Sequence, residues 1–118
     1  MEIRTKVSQG ILHVYLNGEF DVQTAQLFKE VVDRIWQEEQ TDFVFLYMQE
    51  ITFLDSSGLG AILGRYRNLF QHNAELVIVG PRPGIHSIMS MAGLQSIISI
   101  FPSIEESLEH VRGVRYAK

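Results

Sequence analysis

A single α/β domain, with parallel strands joined by helices, is what this 118-residue chain predicts. Three observations carry that expectation. Apolar and polar residues alternate in two runs near the N-terminus, which is the period of a half-buried strand. Downstream, FVFLYM and ELVIVG are continuous apolar runs, short enough for buried strands. Between them lie stretches whose apolar residues fall three and four apart, the helical period. Strands separated by single helices become parallel neighbours joined by right-handed crossovers.

Taken in order, residues 2–8 (EIRTKVS) set Ile3, Thr5 and Val7 against Glu2, Arg4 and Lys6, and Gln9-Gly10 reads as a turn. ILHVYLNG follows, with Leu12, Val14 and Leu16 on one face and His13, Tyr15 and Asn17 on the other. These two runs make a hairpin with one face inward and one partly wet. From Val22 to about Glu39, Leu27, Val31 and Ile35, with Phe28 and Val32, mark an amphipathic helix. Asp21 stands where its N-cap belongs, with Thr24 a competitor. Phe43 to Met48 is a central strand. The next helix puts Leu59, Ile62, Leu63, Tyr66 and Phe70 on one face and ends near His72-Asn73. ELVIVG is a short buried strand, and PRPG breaks the chain before a helix at about Ile85–Ala92, closed by Gly93. SIISIF is the last strand. Pro102-Ser103 then starts a helix running to about Val111, with Glu105 and Glu106 where the helix dipole favours negative charge. The order is β-β-α-β-α-β-α-β-α, without linker, repeat or low-complexity segment, so residues 1–118 are expected to form one domain.

Composition removes several functions. Without cysteine there are no disulfides, no thiolate catalysis and no cysteine metal sites. The N-terminus lacks the basic start, apolar run and small-residue cleavage site of a signal peptide. No apolar run approaches the ~18 residues of a membrane span. A soluble, cytoplasmic domain is expected, with no membrane partner. The net charge is −4 and the basic residues are scattered, which argues against nucleic acid. No cluster with metal-ligand spacing occurs, and no cofactor is expected.

The stretch FLDSSGLGAILGRY, Phe53 to Tyr66, concentrates what chemistry the chain has. A nucleophile elbow needs glycine two before and two after its serine. Leu54 lies two before Ser56, and Ser57 is flanked at that distance by Asp55 and Leu59. His13, His72, His86 and His110 are dispersed along the chain, so a small serine hydrolase lacks an evident base. A dinucleotide fingerprint fails because Leu63 replaces the third glycine and Gly64 comes one residue late. A phosphate-binding P-loop fails for want of its Lys-Ser/Thr ending. What remains is two serines at the start of a helix, where free amides and the macrodipole favour negative charge. Glycines at 58 and 60 reduce bulk, so another protein's backbone can come close. The plainer reading is that Asp55 or a serine caps the first amides and the glycines serve packing. Each of Gly58, Gly60 and Gly64 costs about 1 kcal/mol relative to alanine in a helix, so each needs a reason. Gly60 and Gly64, four apart, are expected to let the helix lie close on the sheet. Gly58 is less easily explained by packing.

The same stretch resembles the regulatory region of the STAS-domain anti-anti-sigma factors, whose shared core is D-S-[ST]-G-L-G. GEFD, Gly18–Asp21, is similar to the family's G-E-[LF]-D after the second strand, and MAGL, Met91–Leu94, to its small-residue-Gly-Leu turn. The resemblance spans essentially the whole chain. The ILGRY continuation and the second serine resemble the sporulation members more than the general-stress members. The family fold implies a two-layer domain, a mixed sheet with helices mainly on one face. The resemblance also implies a protein substrate rather than an enzyme. In the family the unphosphorylated form binds an anti-sigma factor that is also a serine kinase, with ATP or ADP bound by that partner, and displaces the sigma factor. Phosphorylation of the serine after the aspartate, here Ser56 with Ser57 as second choice, ends binding, and a serine phosphatase restores it. Asp21, Asp55, Ser56, Ser57, Gly58 and Gly60 are the expected partner-binding residues, and the free protein is expected to be a monomer. Asp21 carries two roles, helix cap and interface. The alternatives are a STAS domain that senses a ligand or acts as a scaffold in another signalling assembly, and the serine hydrolase.

Overall fold

The computed structural model describes residues 1–117. Its elements are β1 (Glu2–Ser8), β2 (Ile11–Phe20), α1 (Val22–Glu39), β3 (Phe43–Leu54), α2 (Ser56–Gln71), β4 (Glu75–Val79), α3 (Pro83–Met91), β5 (Ser99–Phe101) and α4 (Ile104–Arg115). The expected order is therefore present. The five strands lie side by side in chain order, β1 antiparallel to β2 and the rest parallel.

Alternation in β2 sets the layers. Leu12, Val14 and Leu16 point into the main core with Phe28, Val32 and Trp36 of α1, Ala61, Ile62 and Leu69 of α2, and Ile85 and Met89 of α3. Each fully buried large apolar side chain stabilises the fold by about 1.5–3 kcal/mol. The opposite sheet face is only partly covered. There α4 lays Ile104, Leu108 and Val111 against Phe43, Phe45, Val77, Val79 and Phe101. Three helices on one face and one on the other agree with the two-layer expectation and add a partial third layer. On the uncovered side His13 Nδ1 lies 2.7 Å from the Tyr47 hydroxyl, and Tyr15 stacks on Tyr47 at 4.4 Å. Burial pushes the Tyr47 hydroxyl well above its ordinary range; burial, then Lys6, lowers His13.

Several boundaries and faces differ from expectation. β3 continues past Met48 to Leu54, still paired with β2 across two register shifts that each insert one extra β3 residue. Each bulge flips the alternation, so Ile51 and Leu54 both face the core while Phe53 is left exposed. In α1 the buried line is Ala25, Phe28, Val32 and Trp36, and Leu27 is outside. In α2 it is Gly58, Ala61, Ile62 and Leu69; Leu59, Leu63 and Tyr66 are half-buried, and Phe70 is exposed. α3 begins at Pro83, a residue pre-set for a first helical turn. Leu94–Ser96 form a 3-10 turn entered through Gly93 at φ 82°, which shortens β5 to Ser99–Phe101. α4 runs on to Arg115.

Candidate functional site

The chain around Ser56 is built from two parallel strands that end together. Phe20 of β2 pairs with Leu54 of β3, and the Asp55 amide donates to the Phe20 carbonyl at 3.3 Å. Both strands are followed at once by an aspartate and a helix, so Asp21 and Asp55 cap adjacent helices at one edge of the sheet.

Asp21 resolves its competition with Thr24 by using it. Its Oδ1 accepts from the amides of Gln23 (3.1 Å) and Thr24 (3.0 Å), while the Asp21 amide donates back to Thr24 Oγ1 (2.9 Å). This is a capping box. The Thr24 hydroxyl also donates to the Glu19 carbonyl at 2.9 Å, fixing the turn. The Thr24 amide above all, then its side chain and the Gln23 amide, hold the Asp21 carboxyl below its ordinary value. Local structure thus accounts for every residue of GEFD. Gly18 sits at φ 117°, the Glu19 carbonyl holds Thr24, Phe20 is fully buried, and Asp21 caps.

At α2 the aspartate, not a serine, is the cap. Asp55 Oδ1 accepts from the Ser57 amide at 2.9 Å and the Gly58 amide at 3.2 Å, and the Asp55 carbonyl accepts from Leu59 at 3.0 Å. Ser56, first residue of the helix, is exposed; Ser57 is half-buried. A hydroxyl at position 56 is therefore open to another protein's active site.

The glycines reverse their expected roles. A β-carbon on Gly58 would fall 2.6 Å from Leu54 Cδ1, 2.8 Å from the Phe20 carbonyl oxygen and 2.9 Å from Phe20 Cδ1. Gly58 is the close-packing glycine. It is buried beneath the site, where it cannot offer a side of itself to a partner. Gly60 and Gly64 have open space where a β-carbon would stand, so neither brings the helix onto the sheet. Gly60 is exposed and remains on the surface that includes Ser56.

The four histidines face elsewhere. His13 meets Tyr47, His72 Nδ1 lies 2.7 Å from the Asn68 carbonyl, His86 is 3.4 Å from Ser90, and His110 Nε2 is 2.6 Å from Glu75. None of these bonds involves Ser56 or Ser57. Among the described residues no group of three or more His, Asp or Glu side chains could hold a metal ion, and no helix is long and apolar enough to cross a membrane.

Sequence reasoning missed the apolar surround. Val22, at the start of α1, is 68% exposed and Phe53, just before the cap, 44%. Phe53 also lines a groove of ≈ 350 Å3 between the end of β3 and α3, with Leu54, Ile85 and Ile88, and with Arg82 among its polar residues. For Phe53 the signal was hidden by the bulges, which break the alternation past Met48, where the expected strand ended.

Known proteins share this geometry and much of its sequence. The STAS domain family profile matches residues 2–107. An anti-sigma F factor antagonist from Paenibacillus polymyxa is 32% identical over 114 residues, which cover 97% of each chain. The solved structure of the anti-sigma factor antagonist SpoIIAA in its unphosphorylated form superposes with a TM-score of 0.82 at 21% identity, covering 95% of this chain and 97% of that one. The Bacillus cell fate determinant SpoIIAA in the phosphorylated form gives 0.73 at 21% identity, covering 93% and 99%. At such identities the two structures speak to the fold, and the profile and the Paenibacillus relative to descent. The chain belongs to the STAS domain family.

Proposed function

We propose that this chain is an anti-sigma factor antagonist switched by phosphorylation at Ser56, and that it acts as a substrate, not an enzyme. The observation that carries the reading is the exposed Ser56 hydroxyl on the first residue of α2, directly after the capping Asp55. Its likeness over nearly its whole length to an anti-sigma F factor antagonist supports the same reading. Unphosphorylated, residues 1–118 act as one cytoplasmic domain, monomeric when free. That domain binds an anti-sigma factor that is also a serine kinase, and so releases a sigma factor for sporulation transcription. The kinase uses ATP to modify Ser56, and a serine phosphatase reverses it. Asp21, Ser56, Ser57 and Gly60 form the contact surface, with Val22 and Phe53 as its apolar part.

Inhibition follows from charge. Phosphoserine adds about −1.5 to −2 charges. Pressed against a partner, like charges cost several kcal/mol. A differential of roughly 5.5 kcal/mol moves an equilibrium from 99:1 to 1:99. No refolding of the domain is required.

The test is incubation with ATP and the cognate anti-sigma kinase, followed by tandem mass spectrometry. One phosphate on Ser56 is expected. Ser56→Ala should stay folded and bind the kinase yet accept no phosphate, whereas Ser57→Ala should still be modified. Phosphate on Ser57 in the unaltered protein would displace the assignment by one residue. Labelling by a serine-reactive probe without any kinase would favour the hydrolase instead.

A further inference from the structure

We infer that Asp55 is a positioning residue for the switch: it occupies the helix-start amides a phosphate on Ser56 would otherwise take, and so keeps that phosphate turned outward. The inference rests on Ser56 being the modified residue. A helix start is ordinarily a ready anion site, because its first amides have no partner within the helix. Here that vacancy is filled. Of the first three amides of α2, those of Ser57 and Gly58 already donate to Asp55 Oδ1, at 2.9 and 3.2 Å. Only the Ser56 amide is left without such a bond.

The amides also cannot swing toward a new acceptor. Gly58 is wedged against Leu54 and the Phe20 carbonyl, with no room even for a β-carbon. The Asp55 amide is held by the Phe20 carbonyl, and the Asp55 carbonyl by Leu59, so the cap residue is pinned from both sides. A phosphate on the neighbouring residue therefore meets a carboxylate that already holds the donors. Two anions compete for the same pair of amides, and the one with the shorter tether and the pinned backbone keeps them. The phosphate is left with the Ser56 amide alone and otherwise projects to solvent, from the surface on which a partner must sit. A domain that absorbed the phosphate into its own helix cap would hide most of the charge from the partner; this one has a single free amide to offer it.

The experiment installs phosphoserine at position 56 during translation, independent of any kinase, in the unaltered protein, in Asp55→Ala and in Asp55→Asn. In the unaltered protein phosphoserine should lower the melting temperature by about 2–4 °C through like-charge repulsion. It should leave the Ser57 and Gly58 amide proton resonances nearly in place. In Asp55→Ala the sign should reverse: phosphoserine raises the melting temperature, and both amide resonances move downfield as the phosphate takes them. Asp55→Asn keeps an acceptor oxygen at the cap without its charge, and should give a shift between the two. It also supplies the comparison should Asp55→Ala fold poorly. Large downfield shifts of both amides in the unaltered protein would overturn the inference, and so would a phosphoserine effect of one sign in all three proteins. Failure of the kinase to modify Ser56 would instead defeat the functional reading and leave these results as they stand.

Discussion

The two ends of the parallel strands solve the same problem in opposite ways. Where β2 and β3 finish, helices begin, and their free amides are met by the side chains of Asp21 and Asp55. Where β3 and β4 start, helices have just ended, and the free carbonyls are met by backbone. The Gln40 amide donates to the Trp36 carbonyl at 2.7 Å, and Ala74 to Leu69 at 2.8 Å. The cost at that end is conformational: Gln9, Gln40 and Asn73 all take left-handed backbone, at φ 53°, 50° and 59°. A larger cavity lies there too, ≈ 560 Å3 and lined by Phe43, Tyr66, Phe70, Ile97 and Val114 with Asp42, Glu75 and Arg115. Size alone would have drawn attention to the wrong end.

The sharpest way to break this contrast is Gly58→Ala. Overpacking costs roughly 1–3 kcal/mol and the helix propensity gain returns up to about 1, so a net loss of about 1–2 kcal/mol is expected in urea unfolding. A neutral result would mean that the helix start can slide off the Phe20–Leu54 ledge. Gly60→Ala and Gly64→Ala, in open space on the same helix, should instead stabilise by about 0.5–1 kcal/mol each. At the other end Gln40→Gly should gain about 0.5 kcal/mol by relieving left-handed strain at a helix C-terminus, measured by the same unfolding curves. A loss there would show that the Gln40 side chain contributes more than its backbone costs.

The smallest expected effect is a pH dependence. His13 is held below its ordinary value by burial and by Lys6, so the folded state prefers it neutral. Its contribution is complete above the unfolded value of about 6.5 and is lost as pH falls from there through the lower folded value. The urea midpoint should therefore drop between pH 7.5 and 5 by more in the unaltered protein than in His13→Gln. Equal drops would assign the pH dependence to other groups.

The order of elements was legible from the apolar periods. The helix starts were legible from residue types, because a short polar side chain before an apolar period has few other uses. At α2 the reading left Asp55 and the serines as rivals. Asp21, Asp55 and Ser103 all cap the helices they precede. The end of β3 was not legible, since a bulge breaks the very alternation that identifies a strand. The face of α2 was misjudged because Gly58 and Ala61 add almost nothing to an apolar pattern, yet they are what lets the helix sit down. Phe70 pulled the expected face the other way and is 68% exposed. Phe53 went unnoticed for the same reason as the end of β3, since it belongs to a phase that only the register reveals. Val22 is an exposed apolar residue at a helix start, which falls outside the helix's buried period. The choice of Ser56 over Ser57 rests on resemblance to a family and not on the residue pattern.

The strand order has a consequence for what kind of surface this molecule offers. From β2 to β5 the sheet is laid down in one direction, and the three helices that connect these strands, α1, α2 and α3, all cross over the same face. Open sheets that hold small ligands do so at a switch point, where successive crossovers part to opposite faces and leave a cleft between them. A sheet wound one way never opens such a cleft. The carboxyl edge is instead a row of strand ends and helix starts, with Ser56 exposed on the first residue of α2 and an apolar groove between the end of β3 and α3. Under the proposed function, Ser56 has to enter another protein's hollow, and its exposure at the start of α2 leaves it accessible to do so.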